Sequence, residues 1–153
     1  MNADLRIDRL RWWHLPAVAE MEIEIFGPEA WSEGLLWTEL SAGHDYRAVF
    51  DSAAEDPDTI AGYAGTAFAD TETWLNNIAV GAAYRRRGVG RMLMDDLIAR
   101  ARAGGAKSVF LEVAVDNVPA QRLYDSYGFV GLGVRRNYYQ HTGTDAAVMR
   151  MDL

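Results

Sequence analysis

A strand-like segment that runs through a loop of glycines and arginines into a helix constrains the fold of this chain more than any other feature. The segment ETWLNNIAV (72–80) is typical of a strand, and the residues from about Gly88 to Ala103 carry apolar side chains at helical spacing. The first backbone N–H groups of a helix have no partner within it, and the helix dipole adds positive charge there. This corner therefore predicts an α/β unit with an anion-binding site at the start of its helix.

The remaining segments predict a mixed sheet with helices packed against it. Strands are expected at 5–10, 46–50, 59–69, 108–115 and in two final segments, FVGLGVRRNYY and DAAVMRM; further helices are expected at 15–26, from Ser32 to Gly43, and from a cap at Asp116 or Asn117 to Gly128. The order favours a mixed α/β fold rather than a doubly wound one. With 153 residues, we expect one domain, 1–153, with a sheet of about seven strands and four helices.

Composition excludes several classes of function. The net charge of -7 argues against nucleic-acid binding and suits a cationic substrate. There is no cysteine, and the three histidines lie far apart, so we expect no metal. No apolar run is long enough for a membrane span, and the start MNADLRIDRLRWW lacks the apolar core of an export signal. We therefore expect a cytoplasmic protein without membrane contact.

Two common phosphate-binding patterns fail at the glycine-arginine corner. The Walker pattern needs Gly-Lys-Ser/Thr, and the dinucleotide pattern stops after Gly88 and Gly90 because position 93 is Leu. The pattern R-x-x-G-x-G, from Arg85 to Gly90, resembles instead the pyrophosphate loop of the GNAT superfamily of N-acetyltransferases. The alternative is a solvated basic helix start whose glycines serve a turn.

Five further segments follow a recognisable order: NNIAV, FLEV, DNVPAQRLYDSYGF, RRNYY and AAVMRM. In this order and at matching spacing, they resemble the bacterial RimI-type acetyltransferases, and the resemblance implies action on the N-terminal alanine of a ribosomal protein. The chain departs from the family pattern at Ala30, where proline is usual before Trp-Ser, and at Ala114, where arginine commonly follows LEV.

Two residues are candidates for the proton transfers of acetyl transfer. Glu112 is the only carboxylate within the strand-like segment 108–115, and the resemblance places it at the position of the general base. The resemblance places Tyr124, rather than Tyr127, at the position of the acid that protonates the coenzyme A thiolate. The alternatives are an exposed strand charge for Glu112 and a core tyrosine for Tyr124.

The resemblance also implies acetyl-CoA as cosubstrate and a set of residues that bind it. The backbone of 78–80 pairs with the pantetheine amides and donates an N–H to the thioester oxygen, while Asn117, which also fits a helix cap, bonds the pantetheine arm. The diphosphate lies on residues 86–91. The complete set is Ile78, Ala79, Val80, Arg86, Arg87, Gly88, Val89, Gly90, Arg91 and Asn117.

The expected reaction is acetylation of a protein's N-terminal α-amino group, with the alanine of a ribosomal protein as the leading substrate. Freeing an α-amine at pH 7 costs about 1.4 kcal/mol, against about 4.6 kcal/mol for lysine. Two other functions stay open: a related enzyme acting on a small amine or on lysine, and an acetyl-CoA sensor without turnover. The RRNYY segment (135–139) resembles the family's peptide-groove segment and is left outside the catalytic set.

Overall fold

The computed structural model describes residues 4–153, in which strands and α-helices follow the order that the sequence predicts. Residues 1–3 lie outside the described part. They belong to the segment MNADLRIDRLRWW, for which the sequence predicts no export signal. Seven strands and four α-helices form within residues 4–153: β1 (Leu5–Arg9), α1 (Leu15–Phe26), α2 (Glu33–Ser41), β2 (Asp45–Asp51), β3 (Thr59–Ala69), β4 (Glu72–Val80), α3 (Val89–Ala103), β5 (Ser108–Ala114), α4 (Val118–Ser126), β6 (Val130–Tyr139) and β7 (Thr144–Asp152).

The strands form one twisted sheet in the order β1-β2-β3-β4-β5-β7-β6. Neighbours are antiparallel except for β4 and β5, which run parallel because α3 crosses between them. The prediction of a mixed, mostly antiparallel sheet of about seven strands with four helices is confirmed for the described residues.

The parallel pair is short, and its end creates the main cleft of the molecule. Pairing between β4 and β5 runs from Glu72 and Ser108 to Leu75 and Leu111. Beyond these residues β4 continues along β3, and β5 continues along β7. The two strands therefore part in the middle of the sheet and leave a gap between them.

Apolar side chains cover both faces of the sheet, as alternation along the strands requires. On one face, α3 and α4 pack over β3–β5 with Val89, Leu93, Leu97, Val109, Leu111 and Phe129 in the core. On the other face, α1 and α2 pack over β2 and β3 with Leu15, Val18, Leu36, Tyr46, Phe50 and Tyr63.

One detail differs from the sequence-based expectation. The predicted strand 108–115 includes Val115, but β5 ends at Ala114 and Val115 is exposed. The strand β6 is present as predicted, and it forms an edge of the sheet with exposed side chains over nearly its whole length. Val115 does not line the cleft. Among the helices of the described part, none combines the length and the apolar content that a membrane crossing requires.

Candidate active site

The cleft where β4 and β5 part has a volume of about 680 Å³. Its lining includes the candidate residues Glu112, Asn117 and Tyr124. Both strands and α4, from its N-cap to its last turn, contribute to its wall, and the segment after α1 and the end of β6 with the β6–β7 turn form its rim. Residues from these five parts include Asn76, Asn77, Ile78, Glu112, Ala114, Asn117, Tyr124, Glu29, Trp31, Tyr138, Tyr139 and Thr142.

Glu112 lies on the β5 wall with 18% of its side chain exposed. Its Oε2 is 3.0 Å from Nε of Arg135, but it receives no hydrogen bond of acceptable geometry from residues 4–153. Arg135 reaches it diagonally across β7, because Glu112 pairs with Val148 and Arg135 pairs with Ala146, two residues away on the same face. This buried carboxylate oxygen therefore has an ion-pair partner but lacks a hydrogen bond among residues 4–153.

Tyr124, on α4, is 4% exposed and packs its ring against Phe129. It lines the cleft, and within residues 4–153 its hydroxyl group makes no hydrogen bond. Burial, with a smaller contribution from Tyr139, raises the pKa of Tyr124 well above its usual value. The phenol is therefore protonated at neutral pH, as a proton donor must be.

Tyr127, the other candidate acid, is engaged away from the cleft. Its hydroxyl donates to Oδ1 of Asp95 at 2.6 Å and lies 3.3 Å from the carbonyl oxygen of Arg91. Burial and the hydrogen bond to Asp95 raise the pKa of Tyr127 to about 12. These contacts favour a structural role in holding α4 against α3.

The glycine-arginine corner leaves the start of α3 without a side-chain cap. Gly88 occupies the N-cap position with φ 77°, a left-handed conformation that suits glycine, and Arg86 is also left-handed with φ 61°. The first helical hydrogen bond comes from the N–H of Met92 to the carbonyl of Gly88 at 2.9 Å. Gly90 sits against α4, where an added Cβ would lie 3.4 Å from Leu123. The preceding N–H groups are those that a helix leaves for a ligand.

Two arginines of the corner contact neighbouring side chains. The guanidinium of Arg87 lies 5.2 Å from the ring centre of Tyr84, and Arg91 donates to the hydroxyl oxygen of Ser126 at 3.2 Å. The corner therefore combines positive charge with backbone donors.

The β4 edge that faces the cleft is open beyond Leu75. Ile78, Ala79 and Val80 pair with β3 on one side, while β5 has already turned away on the other. Because each strand has two edges that form hydrogen bonds, the second edge of this segment remains available to an extended ligand.

Asn117 is the N-cap of α4, and Asp116 is not. Its Oδ1 accepts a hydrogen bond from the N–H of Ala120 at 3.2 Å. Since Asn117 also lines the cleft, its Nδ2 group can serve a ligand while its oxygen holds the helix.

A polar layer beneath the cleft was not anticipated from the sequence. Glu22 is 1% exposed; its Oε1 accepts from the N–H of Trp31 at 2.9 Å, and its Oε2 accepts from the hydroxyl of Tyr63. Asn77 donates its Nδ2 to the Tyr63 oxygen at 3.1 Å. Burial raises the pKa of Glu22, although both of its hydrogen bonds act in the opposite direction.

A second carboxylate, Glu39, holds the neighbouring asparagine. It accepts from Nδ2 of Asn76 and from the hydroxyl of Tyr46, each at 2.9 Å, and lies 2.9 Å from Nδ1 of His44. Burial acts to raise the pKa of Glu39, but these hydrogen bonds outweigh it and lower the pKa. NNIAV was recognised as a segment, but nothing in the sequence linked its asparagines to carboxylates on two helices.

The RRNYY segment contributes more to the cleft than the sequence analysis assigned to it. Arg135 contacts Glu112, and Tyr138 and Tyr139 line the cleft after an irregularity in β6 at Asn137, whose φ is 52°.

Among residues 4–153, no three histidine, aspartate or glutamate side chains converge as a metal site would require.

A family model described as the acetyltransferase (GNAT) family matches residues 9–129, most of the chain. This chain belongs to that family, whose members are acyltransferases.

Within the family, this chain is similar to the N-alpha-acetyltransferase RimI of Mycobacterium tuberculosis, with 37% identity over 139 residues that cover 88% of this chain and 84% of the relative. It is 43% identical to the ribosomal protein bS18-alanine N-acetyltransferase of Salmonella typhimurium over 98 residues, 63% of this chain and 66% of that protein. The crystal structure of the ribosomal-protein-S18-alanine N-acetyltransferase from Escherichia coli has 31% identity and a TM-score of 0.82, covering 97% of this chain and 93% of its own.

Proposed function

We propose that this chain transfers the acetyl group of acetyl-CoA to the N-terminal α-amino group of a protein, and that its leading substrate is the N-terminal alanine of a ribosomal protein. One N-acetyltransferase domain, formed by residues 1–153, would carry out the reaction. The observation that carries the proposal is the meeting of Glu112, Tyr124 and the open edge of β4 in one cleft.

The residues present fit acetyl-CoA. The diphosphate suits the uncapped start of α3, where Arg86, Arg87 and Arg91 add positive charge and where glycines at 88 and 90 allow close approach to the backbone. The pantetheine arm suits the open edge of residues 78–80, with Nδ2 of Asn117 as a further donor. When bound, acetyl-CoA supplies an acetyl group activated as a thioester.

Glu112 and Tyr124 divide the proton transfers. Glu112 accepts a proton from the substrate ammonium, so that the neutral amine nitrogen can bond to the acetyl carbonyl carbon. The carbon–sulfur bond breaks, and Tyr124 donates its proton to the sulfur. The nitrogen releases a second proton as the amide forms, which balances the proton that Tyr124 must regain from solvent. A tyrosine holds its proton at neutral pH at its ordinary pKa, and burial raises the pKa of Tyr124 further, so the phenol carries a proton before the reaction.

The cleft suits a cationic acceptor. Its lining includes the carboxyl groups of Glu22, Glu29, Glu112 and Asp116, in a chain with net charge -7. An α-amine is also the easier acceptor for a single carboxylate base, because deprotonation at pH 7 costs about 3 kcal/mol less than for lysine. The names of the relatives from Salmonella and Escherichia coli point to the alanine of a ribosomal protein.

The test is a panel of acceptors incubated with acetyl-CoA: peptides with different first residues, peptides blocked at the N-terminus but containing lysine, polyamines and aminoglycosides. We expect rapid thiol release with alanine-initiated peptides, and mass spectrometry should place the acetyl group on the α-nitrogen. Rapid turnover of lysine or of a small amine alone would redirect the substrate assignment. Cofactor binding without turnover of any acceptor would favour a sensor.

A further inference from the structure

We propose that Oδ1 of Asn77 accepts an N–H hydrogen bond from the acceptor amine and that Glu22 and Tyr63 act as positioning residues that fix the direction of this amide. The inference rests on the proposed function, and it assigns a substrate-binding role to a residue that the proposed proton transfers do not use.

The first observation is an unsatisfied acceptor at the reaction cleft. Asn77 lines the cleft on β4, and its Oδ1 is buried without a hydrogen-bond partner within residues 4–153. A buried carbonyl oxygen without a partner is uncommon in native proteins, because removing it from water is unfavourable unless a hydrogen bond replaces the lost solvent. A ligand that brings a donor into the cleft removes this deficit.

The second observation is that the orientation of the amide is determined by its neighbours. The carboxylate of Glu22 can only accept, so the one hydroxyl proton of Tyr63 points to Glu22. The Tyr63 oxygen is then left as an acceptor, and Asn77 must turn its NH₂ group toward it, at 3.1 Å. The carbonyl end of the amide consequently points away from Tyr63.

Burial of Tyr63 and Glu22 stabilises the orientation of these hydrogen bonds. Tyr63 is 0% exposed and Glu22 is 1% exposed, so water does not compete for either group. The second oxygen of Glu22 is held by the backbone N–H of Trp31 at 2.9 Å. A series of hydrogen bonds with defined direction therefore runs from Trp31 at the rim of the cleft, through Glu22 and Tyr63, to Asn77 on the β4 wall.

The position of Asn77 selects the ligand group. It immediately precedes residues 78–80, the strand edge assigned to the cosubstrate, and it lines the same cleft as Glu112 on β5. An ammonium or amine nitrogen offers several N–H donors, whereas its lone pair must point toward the acetyl carbon. An acceptor on β4 can therefore hold one N–H while Glu112 receives the proton from another.

The test compares two peptides by calorimetric titration into enzyme saturated with CoA, which lacks the acetyl group and prevents turnover. One peptide begins with alanine, and the other carries a propionyl group in place of the alanyl residue, so that the amine alone is missing. In Asn77→Leu, which has a similar size and no acceptor, the preference for the alanyl peptide should fall about tenfold relative to wild type. The Kd of CoA should stay unchanged.

Two further variants separate binding from folding. Asn77→Asp keeps an oxygen at this position, so it should retain the preference and shift the pH midpoint of the peptide acetylation rate upward, because its charge favours the ammonium form of the substrate. Tyr63→Phe leaves the amide without its fixed partner, so the preference should fall about threefold, between wild type and Asn77→Leu.

The outcomes distinguish the inference from the proposed function. If wild type acetylates the peptide but all folded variants keep its preference and its pH midpoint, the inference alone is overturned. If wild type neither binds nor acetylates the alanyl peptide, the proposed function fails and the inference fails with it. Should Asn77→Leu not fold, unchanged values in Asn77→Asp and Tyr63→Phe overturn the inference on their own.

Discussion

The two strand-to-helix corners beside the cleft are built from similar elements but treat the start of their helix differently. At the β4–α3 corner, Gly88 forms the N-cap and offers no side chain to the first N–H groups. At the β5–α4 corner, Oδ1 of Asn117 accepts the N–H of Ala120, and Pro119 lies in the first turn without an N–H of its own.

We propose that this difference separates cosubstrate binding at the first corner from proton transfer at the second. A helix start without a cap is suited to an anion, whereas a capped helix has already satisfied part of its own demand for acceptors. The capped helix carries Tyr124, and the strand before it carries Glu112. We therefore expect changes at the first corner to affect cosubstrate affinity and changes at the second corner to affect turnover.

The largest expected effect is on turnover, at the second corner. Glu112→Gln should lower kcat on an alanine-initiated peptide about 100-fold at pH 7 because the general base is lost, with near-normal affinity for acetyl-CoA. The deficit should shrink toward pH 10, where the amine deprotonates without help. Steady-state rates from pH 6 to 10 measure this, with Glu55→Gln in the exposed β2–β3 loop as the control. A deficit of the same size at every pH would contradict the role of base.

At the first corner, Gly88→Val should weaken acetyl-CoA binding about 50-fold, because a side chain at φ 77° strains the backbone and obstructs its donors. Gly105→Val is the matched control: Gly105 has φ 85° just beyond the other end of α3, with nothing near its missing Cβ. Both variants should lose stability in thermal unfolding, but calorimetric titration should show lost affinity only for Gly88→Val. Equal affinities would place the cosubstrate elsewhere.

Tyr124→Phe should lower kcat about 20-fold while the affinity for acetyl-CoA stays the same, because only the proton donated to the leaving sulfur is lost. Tyr127→Phe, which removes a hydroxyl bonded to Asp95 outside the cleft, should keep the wild-type rate. The comparison of the two variants in one rate assay decides between the tyrosines. A larger loss for Tyr127→Phe would reverse the assignment.

Asn117 allows the cap and the ligand contact to be separated. Asn117→Asp keeps an oxygen for the N–H of Ala120, so the free energy of unfolding should change little, while loss of the Nδ2 donor should raise the Kd of acetyl-CoA about fivefold. Asn117→Ala should show the same loss of affinity and about 1 kcal/mol lower stability. Equal affinities in Asn117→Asp and wild type would restrict this residue to capping.

The smallest effect is expected for a single arginine of the first corner. Arg86→Ala should raise the Kd of acetyl-CoA about threefold at low salt, and the difference should shrink as ionic strength rises, because an exposed charge is screened. Arg102→Ala, an exposed arginine at the opposite end of α3, is the control. A loss larger than that of Gly88→Val would mean that the side chains, rather than the backbone, bind the diphosphate.

Local patterns predicted the elements well because they depend on residues close in the chain. The bounds of β3 and β4 match the predicted segments, and Ser32 caps α2 by accepting from the N–H of Leu35. The position of β6 at the sheet edge could not be predicted, since strand order depends on pairing between distant segments. Val115 was assigned to β5 for the same reason: alternation indicates a face, but it does not indicate where pairing with β7 ends.

The candidate site shows the same division. Its motif residues were recognised by resemblance, and the choice between Asp116 and Asn117 as cap needed only the local geometry that the structure supplies. Glu22 could not be identified, because EMEIEIF contains three similar glutamates and only packing against β3 buries one of them. The contact of Arg135 with Glu112 depends on the pairing of β5 and β6 with opposite edges of β7, which joins segments distant in the sequence.

The gap between β4 and β5 connects the concentration of a bound ligand with the stability of the folded protein. Backbone amides on the cleft edge of β4 beyond Leu75 should exchange with deuterium faster than those paired with β3, and a ligand along this edge should slow them. Such a ligand adds about 2.7 kcal/mol to the free energy of unfolding at 100 times its Kd. The gap in the sheet thus makes the amount of folded protein depend on the concentration of the molecule that fills it.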